Sequence, residues 1–156
     1  MQKTNALRIL DSAKINYETF EYDNSITNGE MVAAVLGEKP DCVFKTLVTV
    51  SGKDHFVFVI PVKETLDMKK AARAAGVKSV EMLHQKDLLP LTGYIHGGCS
   101  PVGMKKQFKT FVEKSAENLQ KFYVSAGKVG MQMKISPSEL KNLIHFEYAD
   151  LIFENH

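Results

Sequence analysis

Hydrophobic residues recur every three or four positions in several short stretches of the chain, which is the spacing of one face of an α-helix. The first stretch carries apolar residues at positions 6, 7, 10 and 13 and follows Thr4, a residue suited to an N-cap. Three more helices are predicted behind Asn28, Asp67 and Ser136, over residues 31–36, 68–75 and 137–144. The last begins with Ser-Pro-Ser-Glu, a capping box with proline at the first helical position. A fifth, short helix is predicted over residues 84–88.

Runs of β-branched and aromatic residues lie between these helices and predict strands. Residues 43–50 and 55–60 are joined by Ser51-Gly52-Lys53-Asp54, which predicts a hairpin. Further strands are predicted over residues 17–22, 77–83, 108–112, 122–125, 131–135 and 146–153, with a tight loop over residues 126–130. Because the helices are scattered among more numerous strands, we expect a mixed α/β (α+β) fold, in which helices surround a curled or barrel-like sheet.

The length of the chain favours one domain over residues 1–156, large enough to bury about two thirds of its unfolded surface. Hydrophobic residues make up 44% and charged residues 24%, which is ordinary for a soluble globular protein. The formal net charge of +2 permits a polyanionic partner but does not require one.

The sequence also limits the classes of cofactor and compartment. It shows no signal peptide and no apolar run long enough to span a membrane, so we expect a cytoplasmic protein without a membrane role. Cys42 and Cys99 are then not expected to form a disulfide, and with five scattered histidines they show no metal-ligand spacing. Neither a dinucleotide-binding fingerprint nor a Walker motif is present. No metal and no cofactor are therefore implied.

The segment from Gly93 to Gly103, hereafter the glycine loop, has four glycines and one proline in eleven residues and cannot be an ordinary helix. Gly97-Gly98 followed by Ser100-Pro101 indicates a shaped loop that directs backbone N–H groups outward. Lys105 and Lys106 follow at once and make its surroundings positive. The alternative is a plain strand, turn and strand.

Two groups of basic residues have both a functional and a structural interpretation. Lys45 lies among apolar neighbours in a predicted inner strand, where it is either partly desolvated or packs its stem and extends its ammonium to water. Lys69, Lys70 and Arg73 lie on one side of the helix over residues 68–75, as either a solvated face or a phosphate-facing patch.

Taken together, Lys45 with its neighbours, the glycine loop and a second loop from Ser125 to Lys128 resemble the YbaK/EbsC family of aminoacyl-tRNA deacylases. The resemblance covers nearly the whole chain. Its segments are Val43-Phe44-Lys45-Thr46-Leu47, Gly93-Tyr94, Gly97-Gly98-Cys99-Ser100-Pro101-Val102-Gly103, Tyr123-Val124-Ser125-Ala126-Gly127-Lys128 and Ala149-Asp150. It implies a mixed, barrel-like α/β fold related to the editing domain of bacterial prolyl-tRNA synthetases.

The resemblance also implies an activity and partners. Similar members hydrolyse Cys-tRNA(Pro) in trans, with the cysteine thiol attacking its own ester carbonyl and releasing a thiolactone. The expected partners are the 3′ acceptor end of an aminoacyl-tRNA and, transiently, prolyl-tRNA synthetase. The alternatives are a non-catalytic tRNA- or nucleotide-binding module and an Ala-tRNA(Pro) deacylase, since one methylene or sulfur atom changes binding by only about 1–3 kcal/mol.

Residue by residue, the resemblance implies catalytic roles for Lys45, Gly98 and Ser100. It implies substrate contacts for Phe20, Asn28, Thr46, Gly97, Pro101, Gly103, Ser125, Gly127, Lys128 and Gln132. Lys45 is either a charged group that positions phosphate or, if strongly desolvated, a neutral base. Glycine N–H groups of the loop suit a developing oxyanion. Ser100 either donates to the substrate or caps the loop, and Lys128 either contacts phosphate or is solvated.

The chain departs from the family pattern at a few positions. Gln132 stands where relatives commonly have Asp, and Phe20 and Asn28 stand where relatives often have a tyrosine and another aromatic residue. These changes remove a charge and a hydroxyl and affect how the substrate amino group is held. Cys99 stands where relatives usually have an aliphatic residue, and we expect a small buried side chain there rather than a nucleophile.

Overall fold

A computed structural model describes residues 3–154, so residues 1–2 and 155–156 of the predicted 1–156 domain lie outside the described chain. Each of the five α-helices in the described part has eight residues, and none is long and apolar enough to cross a membrane. The helices are α1 (Asn5–Ser12), α2 (Gly29–Leu36), α3 (Met68–Ala75), α4 (Gln85–Thr92) and α5 (Pro137–Ile144).

The strands form two sheets. Their bounds are β1 (Tyr17–Glu21), β2 (Phe44–Ser51), β3 (Asp54–Pro61), β4 (Glu81–Met82), β5 (Lys109–Glu113), β6 (Phe122–Lys128), β7 (Met131–Ile135) and β8 (Glu147–Ala149). One sheet has the antiparallel order β1-β7-β6. The other has the order β4-β2-β3-β5-β8, with parallel pairing of β5 to β3 and β8. Short 3₁₀ helices span Pro40–Cys42 and Lys114–Asn118.

The mixed α/β class is therefore confirmed, but the curled or barrel-like sheet is not. Within residues 3–154 neither sheet closes on itself, and an isolated parallel bridge between Val43 and Tyr123 joins the start of β2 to β6. Strand pairing is a long-range choice: Tyr17 of β1 pairs with Ile135 of β7. Local periodicity identifies a strand but not its partner, so the sequence could not separate one closed sheet from two open ones.

The predicted helix caps are confirmed in detail. The Thr4 side chain accepts a hydrogen bond from the Leu7 N–H, and the Asn28 side chain accepts from the first turn of α2. Asp67 caps α3, and Ser136 accepts from the N–H of Glu139 at 3.4 Å. Each cap requires only residues two or three positions apart, which is why the sequence predicts it well.

Several predicted boundaries differ from the structure. Helix α4 continues through Pro90 to Thr92, although the sequence ended it at residue 88, because partly buried Leu91 packs on the main core. The predicted strand over residues 77–83 is reduced to β4, and that over 146–153 to β8, since only those residues find a partner strand. Residues 126–128, predicted as a loop, continue β6 beyond a register shift.

The five-stranded sheet is buried on both faces. Val57 and Val59 of β3 lie in the main core, with residues of α1, β6, β7 and α5. Phe58 and Ile60 point to the opposite face, where they pack with Ala71 of α3. A strand covered on both sides has no need for alternating polar residues, and this explains the continuous apolar run of β3.

The cap of α3 allows a direct stability test. Asp67 accepts hydrogen bonds from the backbone N–H groups of Lys69 at 3.0 Å and Lys70 at 3.3 Å. We expect Asp67→Ala to lower the free energy of unfolding by about 1 kcal/mol, measured by urea denaturation. Asp54→Ala, at an exposed position that begins β3, is the control, with an effect below about 0.5 kcal/mol. Equal stability of both variants would show that the cap contributes nothing.

Candidate functional site

A cavity of about 350 Å³ lies between the first half of β2, the start of α2, the glycine loop and strands β6 and β7. This volume is in the range of small-ligand sites. Residues 43–47 all line it, because β4 pairs only with Thr49 and Val50 and leaves this edge of β2 uncovered. The strand edge and the two loops together therefore make one wall of the cavity.

Lys45 is half-buried and lines this cavity. Burial lowers the pKa of Lys45 below its ordinary value, and the carboxylates of Glu64 and Glu30 act in the opposite direction. Glu30 also lines the cavity, at the first turn of α2. A partly desolvated ammonium interacts more strongly with an anionic or polarised group than a lysine in open water does. The cavity is therefore suited to a ligand with a phosphate or a polarised carbonyl.

Six residues of the sequence-based set meet at the cavity: Lys45, Asn28, Thr46, Gly97, Ser125 and Gln132. Two of them have side chains that already serve the fold. The Asn28 amide oxygen accepts from the N–H groups of Glu30 and Met31, and the Ser125 hydroxyl oxygen accepts from the Gly127 N–H at 3.2 Å.

Two buried polar atoms on the cavity wall have no hydrogen-bond partner among residues 3–154, namely Thr46 Oγ1 and Gln132 Oε1. Gln132 is only 7% exposed, and its Nε2 donates to Tyr22 Oη at 3.3 Å. An unpaired buried polar group costs about 1–3 kcal/mol, so its presence calls for an explanation. A polar ligand in the cavity would explain both atoms.

Gly98 lies beside the cavity but does not line it. Its N–H donates to the Ile95 carbonyl at 2.9 Å and closes a turn, so this amide is engaged within the loop. A Cβ at Gly98 would lie 2.8 Å from the backbone N of Val129. The glycine permits close contact between the glycine loop and the turn after β6, and an oxyanion role for its N–H stays a prediction.

The other glycines of the set also make close contacts. A Cβ at Gly103 would lie 2.8 Å from Tyr94 Oη, and one at Gly127 would lie 3.1 Å from Tyr94 Cε1. Both have positive φ values, of 84° and 105°. Tyr94 donates its hydroxyl to the Val102 carbonyl at 2.5 Å and thereby packs between the two loops. These two glycines support the cavity wall from behind.

The structure places four further predicted residues away from the cavity lining. Ser100 is fully buried, and its hydroxyl oxygen accepts from the Val102 N–H at 3.2 Å, as the loop-capping interpretation expects. Pro101 is buried beside it. Phe20 packs on Tyr123 with ring centroids 5.5 Å apart, and exposed Lys128 has its Nζ 3.9 Å from a carboxylate oxygen of Glu21.

The sequence did not identify Tyr22, Glu30 or His96 as cavity residues. Tyr22 restores to the cavity the aromatic hydroxyl whose loss was inferred at Phe20. Its signal was available, because Tyr22 closes the strand predicted over residues 17–22. His96 lies in the glycine loop and is exposed. Their shared location depends on the packing of distant segments, which local patterns do not contain.

Cys99 also lines the cavity, but its chemistry does not favour a nucleophile. Burial raises the pKa of the Cys99 thiol to about 12. The thiol is therefore protonated at neutral pH, and the thiolate is the nucleophilic form. This agrees with the expectation of a small buried side chain.

The amino-acid sequence matches the family model of the aminoacyl-tRNA editing domain over residues 24–143. The chain belongs to this family. The matched range includes β2, the glycine loop and strands β6 and β7, and hence nearly all of the cavity wall. The family resemblance inferred from the sequence motifs is thereby confirmed.

Similar proteins support the membership. An Enterococcus faecalis protein, "Putative Cys-tRNA(Pro)/Cys-tRNA(Cys) deacylase EbsC", is 46% identical over 153 residues, which cover 96% of this chain and 93% of that protein. YwhH of Bacillus subtilis is 23% identical over 121 residues, covering 77% and 76% of the two chains. A crystal structure of "a putative trans-editing enzyme for prolyl tRNA synthetase" superposes with a TM-score of 0.86 and 22% identity, covering 99% of this chain and 100% of that one. This last match shows a shared fold.

Proposed function

We propose that this editing domain, taken as one unit over residues 1–156, is a trans-acting deacylase that removes cysteine from mischarged Cys-tRNA(Pro). The observation that carries the proposal is the position of Lys45 in a cavity that also holds two unpaired polar atoms. The 46% identity to a protein described as a Cys-tRNA(Pro)/Cys-tRNA(Cys) deacylase supports the choice of substrate.

Two cavity residues suit the two ends of an aminoacyl-adenosine. The Lys45 ammonium attracts the terminal phosphate or the ester oxygen as a point charge. Gln132 Oε1 can only accept, because its Nε2 is the atom bonded to Tyr22, so the ligand must present a donor to it. The α-ammonium of the aminoacyl group is such a donor. A neutral amide would hold it less strongly than a carboxylate and leave more of the selectivity to the shape of the cavity.

The proposed chemistry needs no nucleophile from the protein. The cysteine thiol of the substrate attacks its own ester carbonyl, an S–C bond forms, and the bond from carbon to the ribose oxygen breaks. The thiol proton ends on that oxygen, and a thiolactone and free tRNA are released. The cavity contributes by orienting the reacting groups, which accounts for large rate effects in intramolecular reactions. The neutral Cys99 thiol is consistent with this role for the cavity.

We further propose a transient complex with prolyl-tRNA synthetase in the cytoplasm. A cavity of about 350 Å³ holds an aminoacyl end but not an anticodon, so the identity of the tRNA must be read elsewhere. A synthetase that has just released its product would supply that identity. Association should be detected by light scattering only when charged tRNA joins the two proteins.

The test is a panel of charged tRNAs that includes Cys-tRNA(Pro), Ala-tRNA(Pro), Ser-tRNA(Pro) and Pro-tRNA(Pro). We expect the cysteinyl ester to be cleaved at least about 100-fold faster than the seryl ester, since a hydroxyl is the weaker nucleophile within the same shape. Release of thiolactone, followed by mass spectrometry, checks the route. Cleavage of the alanyl ester alone would instead indicate an Ala-tRNA(Pro) deacylase, and saturable binding without cleavage would indicate a non-catalytic binding module.

A further inference from the structure

The fate of the carbonyl oxygen in the proposed reaction depends on which donor reaches it. When the nucleophile adds to the ester carbonyl, the π electron pair moves to that oxygen, and a preorganised donor stabilises the charge. The backbone amide of Gly98 is bonded to the Ile95 carbonyl and does not line the cavity. The Ser100 hydroxyl is buried outside the cavity lining. The donor must therefore come from another residue.

Three hydroxyl groups line the cavity, on Thr46, Ser125 and Tyr22. Ser125 Oγ is held by the Gly127 N–H, and Tyr22 Oη is held by the Gln132 amide. The Thr46 hydroxyl alone of these three has no partner among residues 3–154. It is therefore the group whose hydrogen is not directed by a bond within the protein.

Thr46 is also the chain neighbour of Lys45 on β2. Side chains of successive strand residues leave on opposite faces, yet residues 43–47 all line the cavity because it wraps around the uncovered edge of this strand. A hydroxyl donor and an ammonium thus reach one cavity from adjacent positions. Together they present two electrophilic groups to a single oxygen.

We propose that the Thr46 hydroxyl donates the hydrogen bond that stabilises the ester carbonyl oxygen during deacylation, beside the Lys45 ammonium. This inference rests on the proposed function. Thr46 keeps its proton throughout: the carbonyl oxygen gains negative charge as the thiol adds, and collapse of that intermediate breaks the bond to the ribose oxygen, which leaves with the thiol proton. Thr46 is a catalytic residue in this scheme, since it contacts the reacting oxygen.

The scheme predicts opposite effects on activity and stability. Thr46→Val should lower kcat for Cys-tRNA(Pro) by about 100-fold with KM changed by less than about 3-fold, since the bond forms mainly in the transition state. Thr46→Ser should retain most of the activity. Thr46→Val should also raise the melting temperature, because it removes an unpaired buried oxygen.

Thr49→Val is the matched control on the same strand, because the Thr49 hydroxyl is fully buried and donates to the Phe56 carbonyl at 3.0 Å. It should lower the melting temperature and leave kcat within about 3-fold of wild type. A kcat near wild type in Thr46→Val, or a kcat loss found in Ser125→Ala instead, overturns the proposal while cysteinyl cleavage by wild type upholds the deacylase function. If wild type cleaves no ester, the deacylase function falls and this inference falls with it.

Discussion

Replacement of Lys45 by methionine is expected to lower kcat/KM for Cys-tRNA(Pro) by about 1,000-fold, which is the upper part of the range for losing one electrostatic group at a reacting centre. Methionine keeps the unbranched stem, so the packing of β2 against its neighbours is preserved. The charge on the cavity wall is removed. Single-turnover deacylation assays, with tRNA binding measured in parallel, separate loss of chemistry from loss of affinity.

Two further variants distinguish the roles of the charge and of the amine. Lys45→Arg keeps a positive charge that does not deprotonate, so substantial activity in this variant indicates electrostatic positioning, and loss equal to that of Lys45→Met indicates a base. Lys63→Met removes an exposed lysine paired with Asp41 and should leave the rate unchanged. Full activity of Lys45→Met would refute a functional role for this lysine.

The same Lys45 variant makes a prediction about pH and stability. Burial lowers the pKa of Lys45, so the folded state holds this proton less tightly than the unfolded state does. The charged amine therefore opposes folding at neutral pH, and this penalty decreases as the pH rises through the lowered pKa towards the ordinary value. Lys45→Met should unfold at a higher temperature than wild type at neutral pH, and the difference should narrow in alkaline buffer.

The second large effect is expected at Gly98. A Cβ there would lie 2.8 Å from the backbone N of Val129 and 3.0 Å from the carbonyl carbon of Lys128. Backbone atoms cannot rotate away as a side chain can, so Gly98→Ala should lower the free energy of unfolding by about 2–3 kcal/mol. Because Gly97 and Cys99 line the cavity, separation of the two loops should also lower kcat/KM by at least about 10-fold.

Gly97→Ala is the control for Gly98→Ala. Its Cβ would lie 3.6 Å from Val129 Cγ2, an ordinary contact, and the positive φ of 86° should account for a loss of only about 1 kcal/mol. Chemical denaturation of the two variants measures the difference. Val129→Ala should not rescue Gly98→Ala, because the conflicting atoms belong to the backbone. Wild-type stability of Gly98→Ala would show that the two loops separate readily.

Sequence patterns predicted the local elements of this fold well where the signal lies within a few residues. Thr4 and Asp67 cap their helices as expected, and the hairpin of β2 and β3 forms around its predicted turn. The failures occur where a segment needs a distant partner. Residues 77–83 have the composition of a strand, but only Glu81 and Met82 pair with β2.

The candidate site divides in the same way. Lys45 and Thr46 were identified from a motif within one strand, and Gln132 from its position after the second loop. Tyr22 was missed, because its role depends on its contact with Gln132, 110 positions away along the chain. Gly98 was assigned a free amide, because a sequence motif does not show that the Ile95 carbonyl accepts its hydrogen.

The sequence by itself determined the family, the helix caps, the hairpin and the presence of a lysine at the cavity, since each depends on residue types at short, fixed spacing. Only the tertiary structure decided that the strands form two open sheets and that the glycines serve close packing between loops. It alone left Thr46 Oγ1 and Gln132 Oε1 without partners. These properties arise from contacts between distant segments, whose geometry is set by the packing of the whole core and not by any local pattern.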